Sequence, residues 1–222
     1  MATTVFSANA AEKTLAEISA CVQANSPKTS LVQKVSMQSF DRSGGGRTLG
    51  GKIYARNHKG SDQLMIAITA PADLDGVRYL LRELKGRDDM QMFLPALNRT
   101  RRISGYQMNE TALFGTDFSY EDVKQLSGSF AKGSGELLAS EAYEQRPTWK
   151  LRLLPTSDEE SAYSEIISWV DTETCTVVAT DFVVEGQGVV KKLTANVDSL
   201  TQADGGASAR WFVGEYRMED IK

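Results

Sequence analysis

From residue 149 onward the chain reads as short strand-like runs joined by tight turns, with no crossover helix between them. The runs are 149–155 (WKLRLLP), 164–170, 175–184, 189–197 and 210–216, and the turns are DTET, EGQG and ADGG. Strands linked this closely pair antiparallel, because a parallel pair needs a crossover of roughly a dozen residues or more. A doubly wound parallel sheet is therefore excluded. The first half repeats the pattern at 30–40, 48–56, 64–70, 77–84 and 90–94, with loop signals at Ser43-Gly44-Gly45-Gly46, 58–62 and 85–89. Two helices are predicted. One spans 11–24, where Leu15, Ile18 and Val22 recur at helical spacing ahead of Pro27. A short one lies near 119–126, with Ser119 as its cap and Glu121 and Asp122 in its first turn. The expected fold is mainly β (α+β): one large antiparallel sheet, strongly curved or closed, with few helices.

Runs 64–70 and 175–184 are apolar on both faces, whereas a sheet with one wet face alternates. Each run therefore needs two coverings. Helix 11–24 and the segment 116–140 are the available lids, and between them and the sheet an elongated apolar cavity of ~300–1,000 Å³ is expected.

Composition removes several functions. Of 222 residues, 25 are basic and 29 acidic, a net charge of -4 that offers no global attraction to nucleic acid or anionic lipid. No window reaches the ~18 apolar residues of a membrane-spanning helix. One histidine, His58, cannot build a His-rich zinc site, and a Ser-His-Asp triad would have to use it from a polar turn. Cys21 and Cys175 are too few for a disulfide framework and are expected to be two separate buried thiols. Gly46-Arg-Thr-Leu-Gly-Gly-Lys52 approaches a phosphate-binding loop. Ile53 stands where the magnesium-binding hydroxyl belongs, and Lys52 opens a strand rather than a helix. The acidic runs Asp88-Asp89, Asp158-Glu159-Glu160 and Glu219-Asp220 sit in turn-like polar contexts. Nothing supports catalysis, a metal or a cofactor. The basic cluster Arg99-Thr-Arg-Arg102 is expected to pair with nearby carboxylates among Asp88, Asp89, Glu110 and Asp117.

The densest stretch is Asp89-Met-Gln-Met-Phe-Leu-Pro-Ala-Leu-Asn-Arg-Thr-Arg-Arg-Ile-Ser104, followed by Phe114-Gly-Thr-Asp-Phe-Ser-Tyr-Glu-Asp122. It resembles the outer-membrane lipoprotein-sorting protein family, LolA-like periplasmic proteins often encoded beside resistance-nodulation-division exporters. The segment PADLDG at 71–76, Trp149-Lys150-Leu151 and the later YSEIISWVD are also similar to that family, and the likeness runs from about residue 10 to 218.

The resemblance implies a curved, half-open antiparallel barrel with helices over its concave apolar side. It also implies non-covalent carriage of a lipid or lipoprotein acyl chain through the periplasm, with an RND-type exporter as partner and no enzymatic activity. The alternative is a sensor or adaptor of the same fold that binds a lipidated partner for regulation. The expected groove lining is Ile66, Ile68, Leu81, Met92, Leu94, Trp149, Leu151, Ile167, Trp169, Phe182 and Trp211. Arg101, Arg102, Asp117, Tyr120 and Asp122 are the expected motif residues, with an arginine pairing to the Asp117 carboxylate. Ala8-Asn9-Ala10 matches the small-x-small pattern before a signal-peptidase site, so 1–10 reads as a residual export segment and 11–222 as one domain. The family pattern continues past Tyr216-Arg217-Met218, so C-terminal strands are expected to be missing.

Overall fold

Alternating sequence produces alternating burial. In β9 (Glu165–Asp171) the even-numbered residues Ile166, Ser168 and Val170 are buried, while Glu165, Ile167 and Trp169 are only half-buried. The computed structural model describes residues 13–26, 30–58, 61–84, 87–103, 112–126, 134–155, 161–203 and 210–221. The expected export segment at 1–10, Glu110 and the 158–160 acidic run lie outside these residues.

The strands form two six-stranded antiparallel sheets and a two-stranded ribbon, rather than the single sheet expected. The first sheet runs in sequence order through β1 (Ser30–Phe40), β2 (Gly46–His58), β3 (Ser61–Ala70), β4 (Arg78–Leu84), β5 (Arg87–Leu94) and β6 (Arg99–Ile103). The second has the order β14-β11-β10-β9-β8-β7. Its other members are β7 (Ser134–Tyr143), β8 (Arg146–Leu154), β10 (Val177–Val184), β11 (Gly188–Ala195) and β14 (Tyr216–Asp220). The division falls between β6 and β7. The chain between them carries α2 (Tyr120–Leu126), and among the described residues the two strands are not hydrogen-bonded neighbours. Among the described residues neither sheet closes, and the architecture is the curved, half-open one expected.

The predicted strand 210–216 is two strands. β13 (Arg210–Val213) pairs with β12 (Leu200–Ala203), and β14 pairs with β11. Between them Gly214 donates its amide to the Ser199 carbonyl at 3.1 Å, and a β-carbon built on it would also lie 3.1 Å from that oxygen. A larger residue would push the chain away at the point where it changes sheets.

α1 (Leu15–Ala24) starts later than the predicted 11 because Thr14 and Glu17 form a capping box. The Glu17 amide donates to the Thr14 hydroxyl at 3.3 Å, and the Thr14 amide donates to the Glu17 carboxylate at 2.8 Å. Ile18 and Val22 enter the core of the second sheet with Leu151, Val170 and Phe182. The helix is also anchored at its far end. Cys21 and Cys175 form a disulfide, Cα–Cα 5.5 Å, correcting the expectation of separate thiols. Asn25 donates to the carbonyls of Thr174 and Cys175 at 2.9 and 3.1 Å and accepts from the Trp211 amide at 2.9 Å. Two cysteines 154 positions apart meet because the β9–β10 turn ends beneath this helix.

Two aspartates hold strand geometry from buried positions. Asp89 on β5 faces Arg82 across β4, and Arg102 lies diagonally across β6, with Nε distances of 3.1 and 2.7 Å. This corrects the turn-like exposure expected of Asp89, which is 3% exposed. Burial opposes its ionisation, but the Arg82 hydrogen bond, the Arg102 charge and the Gln91 amide outweigh burial and hold its carboxyl below the usual range. Asp171 behaves alike. Burial is overcome by Arg146 and by the Thr174 amide and hydroxyl.

A carboxyl whose pKa is lower folded than unfolded takes up its proton first in the unfolded chain. Its contribution is complete above the unfolded pKa of about 3.9 and disappears as pH falls through the folded value. Urea midpoints should therefore be level from pH 7 to about 5 and fall below about 4, with a shallower fall in Asp171→Asn. Midpoints unchanged at pH 3 would contradict this assignment.

Candidate ligand-binding site

The segment 112–126 joins the two sheets. Leu113, Phe114 and Tyr120 are buried in the core of the first sheet, and Phe118 packs against that of the second. Phe114 and Gly115 both adopt left-handed backbone, φ 61° and 69°, which turns the chain back on itself. Phe114 tolerates this because its ring stands edge-on to Tyr79, with centroids 4.4 Å apart and planes at 77°. Its amide also donates to the Tyr79 hydroxyl, whose pKa burial raises.

α2 opens as expected. The Asp122 amide donates to the Ser119 hydroxyl at 3.2 Å and the Ser119 amide to the Asp122 carboxylate at 2.7 Å. Asp122 is fully buried and has two further donors on the second sheet's side, the Tyr163 hydroxyl at 2.7 Å and Lys191 Nζ at 3.0 Å. Burial and then the Asp122 charge push the Tyr163 pKa far above its ordinary value. Glu121 adds the Ala162 amide at 3.0 Å and the Ser161 hydroxyl. The motif FGTDFSYED is thus a clamp. Phe114 and Tyr120 sit on the first sheet, while Phe118, Glu121 and Asp122 hold the second.

Under the clamp lies the apolar face of the first sheet. Cross-strand partners share a face, so the register builds rows across it. One row is Ala55, Leu64, Leu81, Met90 and Ile103; the next is Ile53, Ile66, Tyr79, Met92 and Arg101. Leu81, Met90, Ile66 and Tyr79 are buried, whereas Ile53, Leu64, Met92, Leu94 and Ile103 are only half-buried. An apolar surface that continues outward from its cover in this way can take an acyl chain.

The expected lining residues fall into four groups. Ile66, Ile68, Leu81, Met92 and Leu94 share the face of the first sheet. Trp149, Leu151 and Phe182 belong to the separate core of the second sheet beneath α1. Ile167 and Trp169 lie on the opposite face of that sheet and cannot line a groove with Leu151. Their cross-strand partners are Arg152 and Lys150, while Leu151 faces Ser168. Trp169 is engaged there, its indole N–H donating to Glu141 at 2.5 Å, Lys150 Nζ standing 4.9 Å from its ring and Tyr143 5.7 Å away. Trp211 is half-buried on the β12–β13 ribbon, beside the end of α1.

The lid expected over 116–140 is shorter. α2 ends at Leu126, 127–133 lie outside the described residues, and 134–140 belongs to β7. The expected arginine pairing with Asp117 is replaced. Arg102 is committed to Asp89 on the other face of β6, and it is the Asp117 carbonyl that is used, accepting from Lys191 at 2.8 Å. Asp122 carries the ionic link instead. Among the described residues no three His, Cys, Asp or Glu side chains are placed to hold a metal ion.

The fold is one of unclosed antiparallel sheets, the first with an apolar face under short helical segments. Three solved structures share it. A domain from Vibrio parahaemolyticus described as an outer membrane lipoprotein-sorting protein gives a TM-score of 0.81 at 23% identity, over 95% of this chain and 86% of that one. A DUF1329 family protein from Desulfovibrio piger ATCC 29098 gives 0.81 at 24% identity, over 93% and 85%. A LolA superfamily protein from Nitrosomonas europaea gives 0.69 at 17% identity, over 95% and 87%. No curated protein matches the chain significantly. The chain belongs to the family whose sequence model, described as "Uncharacterized protein", matches residues 60–222.

Proposed function

We propose that this protein is a periplasmic carrier that holds the acyl chain of a lipid or lipoprotein non-covalently on the apolar face of its first sheet. The observation that carries the reading is that face. Ile53, Leu64, Met92, Leu94 and Ile103 extend as a half-buried margin from a buried centre, which among the described residues is covered by 112–126. Shielding an acyl chain from water is worth about 0.8 kcal/mol per methylene, and the absence of a covalent step leaves release free. The lipoprotein-sorting description of the Vibrio structure supports the same reading. The Cys21–Cys175 disulfide supports an oxidising compartment. Among the described residues no helix is long and apolar enough to cross a membrane. Exchange with an RND-type exporter belongs to this proposal through the sequence resemblance.

Leu64→Glu places a charge on the half-buried margin between Ala55 and Leu81, where the fold can tolerate it but an acyl chain cannot. Uptake of a fluorescent fatty acid should fall at least about tenfold, because an unpaired charge against apolar surface costs more than 1.4 kcal/mol. Trp169→Ala, on the far face of the second sheet, should bind as the parent does. Unchanged uptake by a folded Leu64→Glu protein would contradict the proposal.

A further inference from the structure

We propose that the bound amphiphile carries an anionic head group, a carboxylate or phosphate, received by Arg99 and Arg101 at the β6 edge of the apolar face; this rests on the carrier reading above. The register places both guanidiniums. Arg101 is the cross-strand partner of Met92, and Arg99 that of Leu94. Both arginines therefore stand on the face that carries Ile66 and Ile68, at the end of its apolar rows, and both are exposed. Alternate residues on a strand are about 7 Å apart, so the two form a like-charged pair beside apolar surface.

Arg102 shows what an arginine on this strand does when a carboxylate is within reach. It points to the opposite face and pairs with Asp89 at 2.7 Å, a carboxylate that Arg82 also holds. Arg99 and Arg101 form no ion pair among the described residues. Two planar guanidiniums so placed suit the oxygens of a carboxylate or phosphate, which each can hold bidentately. A chain attached to such a head group meets Met92 and Leu94 first, then Ile66 and Ile68 deeper in the face. Charge at the edge and apolar surface within match one amphiphile, head outward and tail inward.

The test compares four probes on the full chain at low ionic strength: hexadecanoate, hexadecyl phosphate, monopalmitin and hexadecyltrimethylammonium. The two anions should bind about tenfold or more tighter than monopalmitin, as expected when charge-assisted bonds are added to an equal tail. Arg99→Gln/Arg101→Gln should lower both to the monopalmitin level and leave monopalmitin itself unchanged, while Arg99→Lys/Arg101→Lys keeps a preference for anions. Inorganic phosphate should not displace hexadecyl phosphate. Equal affinities for anionic and neutral probes, insensitive to the double variant, would overturn the head-group assignment and leave the carrier standing. Displacement by inorganic phosphate at the same concentration as by hexadecyl phosphate would show a free-anion site and overturn the assignment. Binding of none of the probes would overturn both.

Discussion

Asp122→Ala should lower the free energy of unfolding by about 3–5 kcal/mol, the cost of removing one partner from a buried ion pair. The side chain is fully buried, and its loss leaves Lys191 Nζ, the Tyr163 hydroxyl and the Ser119 amide without the acceptor they share. Lys191→Met in the same background should return only part of the loss. It removes the ammonium, left with the Asp117 carbonyl as its acceptor, but not the orphaned hydroxyl and amide, each worth about 1–3 kcal/mol when unsatisfied. Urea unfolding of the two variants measures both numbers. A loss below 1 kcal/mol would show that the clamp between the sheets is held by Phe114, Phe118 and Tyr120 alone.

Reduction of the disulfide is the second large effect. Bridging residues 154 positions apart removes much of the unfolded chain's freedom, worth about 5 kcal/mol in the chain-entropy model and about 2–5 kcal/mol when native bridges are removed. Cys21→Ser/Cys175→Ser should lose that amount and become insensitive to reductant. The hydrogen bonds of Asn25 remain in that variant, so α1 stays docked and the loss appears in global unfolding rather than as a freed helix. Equal urea midpoints for the parent with and without reductant would contradict this.

Several elements were legible from the residues alone because side-chain period and secondary structure agree. Strand 30–40, the β9–β10 and β10–β11 hairpins and the Ser119 cap of α2 are such cases. Strand β6 was not, because Arg99-Thr-Arg-Arg102 carries no apolar alternation and takes its strand conformation from pairing with β5. Strand β7, SGELLASEAY, is half polar because it pairs on one side only among the described residues. At the site, Ile167 and Trp169 were grouped with Leu151 on hydrophobicity, although a period of two separates Ile166, Ser168 and Val170 from them. Asp122 stood in the motif, but its partners Tyr163 and Lys191 lie 41 and 69 positions away, a distance no local pattern reports. The disulfide escaped for the same reason. The clamp motif was visible as a string of letters; what it clamps became visible only when the two sheets were placed.

The central claim is that the first sheet's apolar face carries an acyl chain. Its most direct measurement is native mass spectrometry of protein purified without detergent, followed by extraction and identification of what it holds. About one amphiphile with a long apolar tail per chain should be found, lost in Leu64→Glu and retained in Trp169→Ala. A ligand-free protein recovered in a stable complex with a lipidated partner protein, its mass unchanged by incubation with fatty acid, would contradict the carrier and favour the adaptor.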